Sequence, residues 1–167
     1  MAVTSDIVAT WRRPARVMRK LLAMGRREDR ALAILIAACF VIFIAQWPAL
    51  SRQAFLDPSV PLDARLGGAL FGWIFLMPLV AYTLAALTHL FAKLVRGRGS
   101  WYSARLALFW SLLAASPAWL LYGLVAGFIG PGPEQTVAGV ILLVAFLSIW
   151  GISLREAERA PEADTSP

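Results

Sequence analysis

A chain of 167 residues that is 59% hydrophobic, only 16% charged and of mean hydropathy +0.68 departs from a soluble domain, which is about half apolar and about a quarter charged. A soluble globule is thereby excluded, and so are a disordered chain, which needs low hydrophobicity and high charge, and a collagenous one, which needs glycine at every third position. What remains is an all-α integral membrane bundle; the single cysteine, Cys39, excludes an intramolecular disulfide and argues against a cysteine-built zinc site.

Residues 1–30 form a basic leader. Between Ile7 and Met24, at about 100° per residue, Arg12, Arg13, Arg16, Arg19 and Lys20 share one arc, while Ile7, Trp11, Met18, Leu21 and Leu22 take the opposite side. The pattern predicts an amphipathic helix lying flat in a membrane interface, with its apolar face in the acyl boundary and its cations among the headgroups. Ser5 or Asp6 can cap its start and Gly25 can stop it. Proline costs about 3 kcal/mol inside a helix but is welcome in its first turn, so one helix through Pro14 and two short helices meeting near Arg13 both fit. Each cation beside an anionic leaflet contributes about 1 kcal/mol. The arc is therefore either an orientation anchor or a docking surface for anionic phospholipid or another protein. No convincing cleavage site closes the leader, and the pair Arg12-Arg13 runs into Pro14 and Ala15, so neither a cleaved signal peptide nor a twin-arginine signal is expected.

Four stretches without Asp, Glu, Lys or Arg follow, at residues 31–50, 66–92, 106–129 and 136–154. About 20 apolar residues suffice to cross a hydrocarbon core of about 30 Å, so each predicts a transmembrane helix, and residues 155–167 are expected to form a disordered tail. With the amino terminus in the cytoplasm, fourteen of the sixteen basic residues fall on the inner side and two on the outer. This is the positive-inside bias of a four-span protein with both ends in the cytoplasm. The net charge of +6 is thus an orientation and anionic-lipid signal, and nucleic acid is not an expected partner, because the cations flank spans and no recognition module accompanies them. Trp47, Trp101, Tyr102 and Trp150 fall at span ends, where amphipathic rings favour the interface.

Within the spans a few residues are candidates for more than packing. His89, the sole histidine, lies about one turn before Lys93; an intramembrane histidine can ligate a cofactor or relay protons, or rest neutral against another helix, and no carboxylate stands in any span to partner it. Pro78 and Pro117 sit near the middles of the second and third spans, each freeing a carbonyl four residues back, that of Ile74 or Leu113. Broken helices at mid-membrane build many transporter sites, but coupled transporters usually place a charge there and these spans have none, so packing kinks are the favoured reading. Gly68 and Gly72, and again Gly123 and Gly127, form G-x-x-x-G pairs at the outer ends of the same two spans. Such spacing lets backbones approach closely, which predicts packing of these two spans on each other or a homodimer seam. No catalytic grouping, metal cluster or phosphate loop is recognisable, and no cofactor is expected.

Trp11-Arg12-Arg13-Pro14, Gln46-Trp47-Pro48, the stretch from Tyr82 through His89 and Arg96-Gly-Arg-Gly99, then Ala104-Arg105-Leu106-Ala107-Leu108-Phe109-Trp110 and Ser116-Pro117 resemble a bacterial member of the Yip-domain family, membrane proteins related to Ypt/Rab-interacting proteins. The family usually has five spans and this chain shows four. The resemblance implies a non-catalytic multispan protein that organises membranes or recruits partners, and the composition suggests a bacterial inner membrane. The expected function is that of a scaffold, assembly factor or accessory subunit, with another membrane protein or a second copy as partner. A small transporter or channel working at the Pro78 and Pro117 kinks is the alternative.

Overall fold

The computed structural model describes residues 3–94 and 97–159. Among these residues all regular structure is helical: α1 (Val3–Arg12), α2 (Pro14–Ala23), α3 (Glu28–Leu56), α4 (Leu62–Phe71), a π-helical turn (Gly72–Leu76), α5 (Met77–Leu94), α6 (Trp101–Ala114), α7 (Ser116–Phe128) and α8 (Pro133–Arg159). Three helices are long and apolar enough to cross a membrane: α3, the continuous stretch Leu62–Leu94, and α8; α6 and α7, bent by 45° at their junction, make a fourth if the pair is one span.

The helix ends follow local chemistry. Glu28 and Asp29 stand in the first turn of α3, where carboxylates favour the positive end of the helix dipole. Pro14 and Pro133 open α2 and α8, where a missing N–H costs nothing. Ser100 and Ser103 close a reciprocal capping box at the start of α6. Gly25, with φ of 81°, turns the chain out of α2, a conformation open to glycine at no steric cost.

The two prolines behave differently. Leu62–Leu94 stays one span through Pro78, because the π-helical turn just before it widens the spiral where the ring would otherwise strike the carbonyl of Ile74. The kink expected at Pro117 is real, although the break lies two residues earlier, at Ala115.

Like α3, α6 and α7 run from the basic end of the bundle to the opposite end. Arg105 pairs with Glu28 near the start of α3, while Gly123 and Gly127 lie against Ala45 and Pro48 further along it. α5 and α8 run the other way. Every residue from Tyr102 to Ala114 except Arg105 is buried, so α6 is the axis of the basic half of the bundle. A helix that is apolar all round is buried on all sides, and here α3, α5, α8 and the leader surround it. The outward faces of α3, α5 and α8 stay apolar, as in Phe40, Leu79 and Val144, as a lipid-facing surface requires.

Several boundaries differ from expectation. The leader is two helices meeting at Arg13, one of the two forms that fit the sequence, and most of its apolar face is covered by protein: Val17, Met18 and Leu21 are buried in the core that α6 and α8 share, with Ile7 and Leu22 packed against it, while Trp11 stays partly exposed. It is therefore packed into the bundle along that face. α1 starts at Val3, so neither Ser5 nor Asp6 is its cap. α8 continues to Arg159, so the first residues of the expected tail are helical, and residues 160–167 lie outside those described. Arg96 also lies outside them.

Candidate functional site

Of the polar side chains that the bundle buries, His89, Ser103 and Ser153 lie at its basic end, and Thr10, Ser111 and Ser116 lie deeper, around the α6–α7 break. His89 is fully buried on α5, and its Nδ1 lies 3.3 Å from Oε1 of Glu158 in the last turn of α8. An ionised carboxylate can only accept, so this contact needs the imidazole proton on Nδ1. The other carboxylate oxygen accepts from the Gly99 N–H at 3.1 Å, and the Arg98 N–H donates to the Glu158 backbone carbonyl at 3.0 Å. A methyl group on Gly97 or Gly99 would collide with Glu158, so both glycines are what lets the loop close over it. The Trp101 ring stacks obliquely 4.6 Å from His89, with Lys93 above its face. His89 Nε2 is buried without a hydrogen-bond partner.

The sequence places His89 about one turn from the end of its charge-free window, and no carboxylate lies inside any of those windows. Glu158 lies four residues beyond the last of them. The signal available was positional: His89, the glycines of the 97–99 loop and Glu158 all belong to one end of an alternating bundle.

Two further anchors serve the same end. Arg30 donates to the carbonyls of Leu21 and Gly25, each at 3.1 Å, and to the Tyr102 hydroxyl at 3.2 Å, joining the leader, α3 and α6. Glu156, one turn from Ser153, receives Arg19 at 3.6 Å and Arg159 at 3.7 Å. Deeper in the bundle, the Trp110 indole donates to the buried Thr10 hydroxyl at 3.1 Å, and the Trp11 indole donates to the Ala114 carbonyl at 2.8 Å. Ala114 ends α6, so Trp11 satisfies one of the carbonyls that the helix break leaves without an intrahelical donor.

The glycine pairs are separated by the structure. Gly123 and Gly127 are in intimate contact with the α3 backbone at Ala45 and Pro48, whereas a Cβ on Gly68 or Gly72 would meet nothing within 4 Å. The expected packing of the second span on the third through these glycines is therefore corrected: α7 meets α3 instead, because the first and third spans run parallel and present small residues, Ala45 and the two glycines, at matching heights.

Of the predicted basic set, Lys20 is paired with Asp6 at 2.7 Å and Arg19 with Glu156, while Arg12, Arg13 and Arg16 stand exposed at the junction of α1 and α2. Among the described residues no group of three or more His, Cys, Asp or Glu side chains is placed to hold a metal ion. Comparison with family models, with curated proteins and with solved structures returns no match.

Proposed function

We propose that the chain is a non-catalytic multispan membrane protein, a scaffold, assembly factor or accessory subunit, held in a bacterial inner membrane with both termini in the cytoplasm. The observation that carries this reading is how the basic half of the bundle is filled. Its axis is occupied by Leu106, Leu108, Phe109 and Trp110, none more than 2% exposed, and the buried polar groups at the basic end tie helices to one another. An active site needs room for a substrate and a reactive group left free to meet it; here His89 and Glu158 are engaged with each other and with the loop. The partner in this reading is another membrane protein or a second copy, with anionic phospholipid at the basic end, in keeping with the Yip-domain resemblance.

One observation favours the transporter reading as an alternative. The π-helical turn and the α6–α7 break are linked by the Trp73 and Trp119 rings, 5.8 Å apart, and the buried Trp119 Nε1 has no partner. Reconstitution decides between them. Vesicles carrying the protein should leak protons, potassium and chloride no faster than protein-free vesicles, and a photo-crosslinker at exposed Leu121 or Leu87 should give a discrete protein adduct in native membranes. A leak that rises with protein density and changes in Pro117→Ala would replace the proposal with the alternative.

A further inference from the structure

The five cations of the leader's amphipathic arc divide into two kinds. Arg19 and Lys20 are neutralised by Glu156 and Asp6. Arg12, Arg13 and Arg16 are exposed and have no ion pair or hydrogen bond from their side chains among the described residues.

Where those three arginines sit gives the division its meaning. Asp6 and Lys20 hold the two arms of a helical hairpin together, with Arg12, Arg13 and Pro14 at its tip. The bonds from Trp11 to Ala114 and from Trp110 to Thr10 fix that tip beside the α6–α7 break. The polar boundary of the basic end is marked on α6 by Arg105, paired with Glu28. Ala114 is nine residues further along, about 13 Å of helix rise at 1.5 Å per residue. An interfacial helix buries its apolar face only about 5–10 Å deep, so the tip reaches at least the floor of that zone. Charged groups at such depth are costly among acyl tails, and an arginine stem can carry its head outward by only one side-chain length.

The tip has an apolar flank as well. Val8 and Trp11, three residues apart on α1, are 65% and 45% exposed, beside a helix start at Arg13 that has no side-chain cap. A cationic group of three and an apolar strip together match one kind of molecule: a phospholipid with its phosphate drawn down to the arginines and an acyl chain along the strip.

We propose that Arg12, Arg13 and Arg16 form a stoichiometric site for an anionic phospholipid of the inner leaflet, with one acyl chain against Val8 and Trp11. Three guanidinium groups exceed the charge of a single phosphodiester, so the site favours a lipid with two phosphates over one with a single phosphate. The site rests on the membrane placement proposed above, but it fails on different evidence: flux would refute the scaffold reading, whereas lipid stoichiometry decides this one.

The experiment is native mass spectrometry of the intact protein released from micelles containing phosphatidylcholine, phosphatidylglycerol or cardiolipin. The wild type should retain one cardiolipin per chain, phosphatidylglycerol more weakly and phosphatidylcholine not at all. At about fivefold per cation, Arg12→Gln/Arg13→Gln/Arg16→Gln should bind cardiolipin about a hundredfold more weakly. A charge-matched control, Arg26→Gln/Arg27→Gln/Arg98→Gln, should keep the bound lipid. Arg13→Gln alone, with a smaller loss, serves if the triple variant does not fold. Equal losses in the two triple variants, no retained lipid in the wild type, or displacement by millimolar inorganic phosphate would each overturn the site.

Discussion

The sharpest test of the packing is a methyl group added to each of the four glycines. At Gly123 a Cβ would overlap the Ala45 carbonyl and stand 3.2 Å from the Ala45 Cα; at Gly127 it would overlap Pro48. The obstacle is the α3 backbone at Gly123 and the rigid Pro48 ring with its backbone at Gly127, neither of which has a rotamer to change, so the helices must part or bend. Overpacking of this kind costs about 1–3 kcal/mol, and the upper half of that range is expected because the contact is backbone against backbone. At Gly68, Cβ would meet open space, and replacing a helical glycine with alanine there gains up to about 1 kcal/mol. The propensity gain is common to both helical positions, so Gly123→Ala and Gly68→Ala should differ by the overpacking term alone, about 2–3 kcal/mol, with opposite signs of net effect. Equilibrium unfolding in mixed micelles, followed by tryptophan fluorescence, measures this directly. Gly123→Ala and Gly127→Ala together should cost less than their sum, since once α3 and α7 have separated at one site the second methyl meets less. The reasoning fails if Gly123→Ala is as stable as the wild type, or if Gly68→Ala is destabilised to the same degree.

Glu158→Gln should lower stability by about 1–3 kcal/mol, because it removes a charged acceptor shared by His89 and the Gly99 N–H. The exposed Glu134→Gln is the control, and equal stability of the two variants would show that the carboxylate does not hold the loop. Hydrogen bonds from Ser59, and then the Arg65 guanidinium, hold the Asp57 carboxyl below its ordinary value. A folded-state pKa that is depressed means that the stabilisation is complete above the ordinary aspartate range and is lost as pH falls through the lowered value. The melting temperature of Asp57→Asn should accordingly fall less than that of the wild type between pH 7 and pH 3, and parallel acid profiles would refute the link. For topology, single cysteines at Ser59 and Glu134 in a Cys39→Ser background should react with an impermeant reagent from outside, and one at Arg98 should not. Arg98 is the better inner site than its neighbour Gly97, where a side chain would strike the Ala92 carbonyl at 2.9 Å.

The helices were legible because length and charge report directly on a membrane: a run without ionisable groups from residue 31 to 50 or 136 to 154 has few stable fates other than a span. Which surfaces meet was much less legible, for a reason specific to this solvent. In water, an apolar face predicts a protein partner; in a bilayer, lipid and protein are equally apolar, so Val17, Met18 and Leu21 read the same whether acyl chains or α8 cover them. The amphipathic pattern of the leader said correctly that one face is dry and could not say what dries it. Glycine spacing has the same blind spot, since Gly68 with Gly72 and Gly123 with Gly127 are indistinguishable as strings, yet only the second pair has a backbone against it. What breaks the degeneracy is polar chemistry, because an indole N–H or a carboxylate in an apolar medium must find a partner. The bonds from Trp11 to Ala114, Trp110 to Thr10 and His89 to Glu158 each join elements far apart in sequence. Donors and acceptors just outside the apolar windows are thus the residues from which the packing of a small membrane bundle can be argued, and Glu158, four residues past the last window, is one of them.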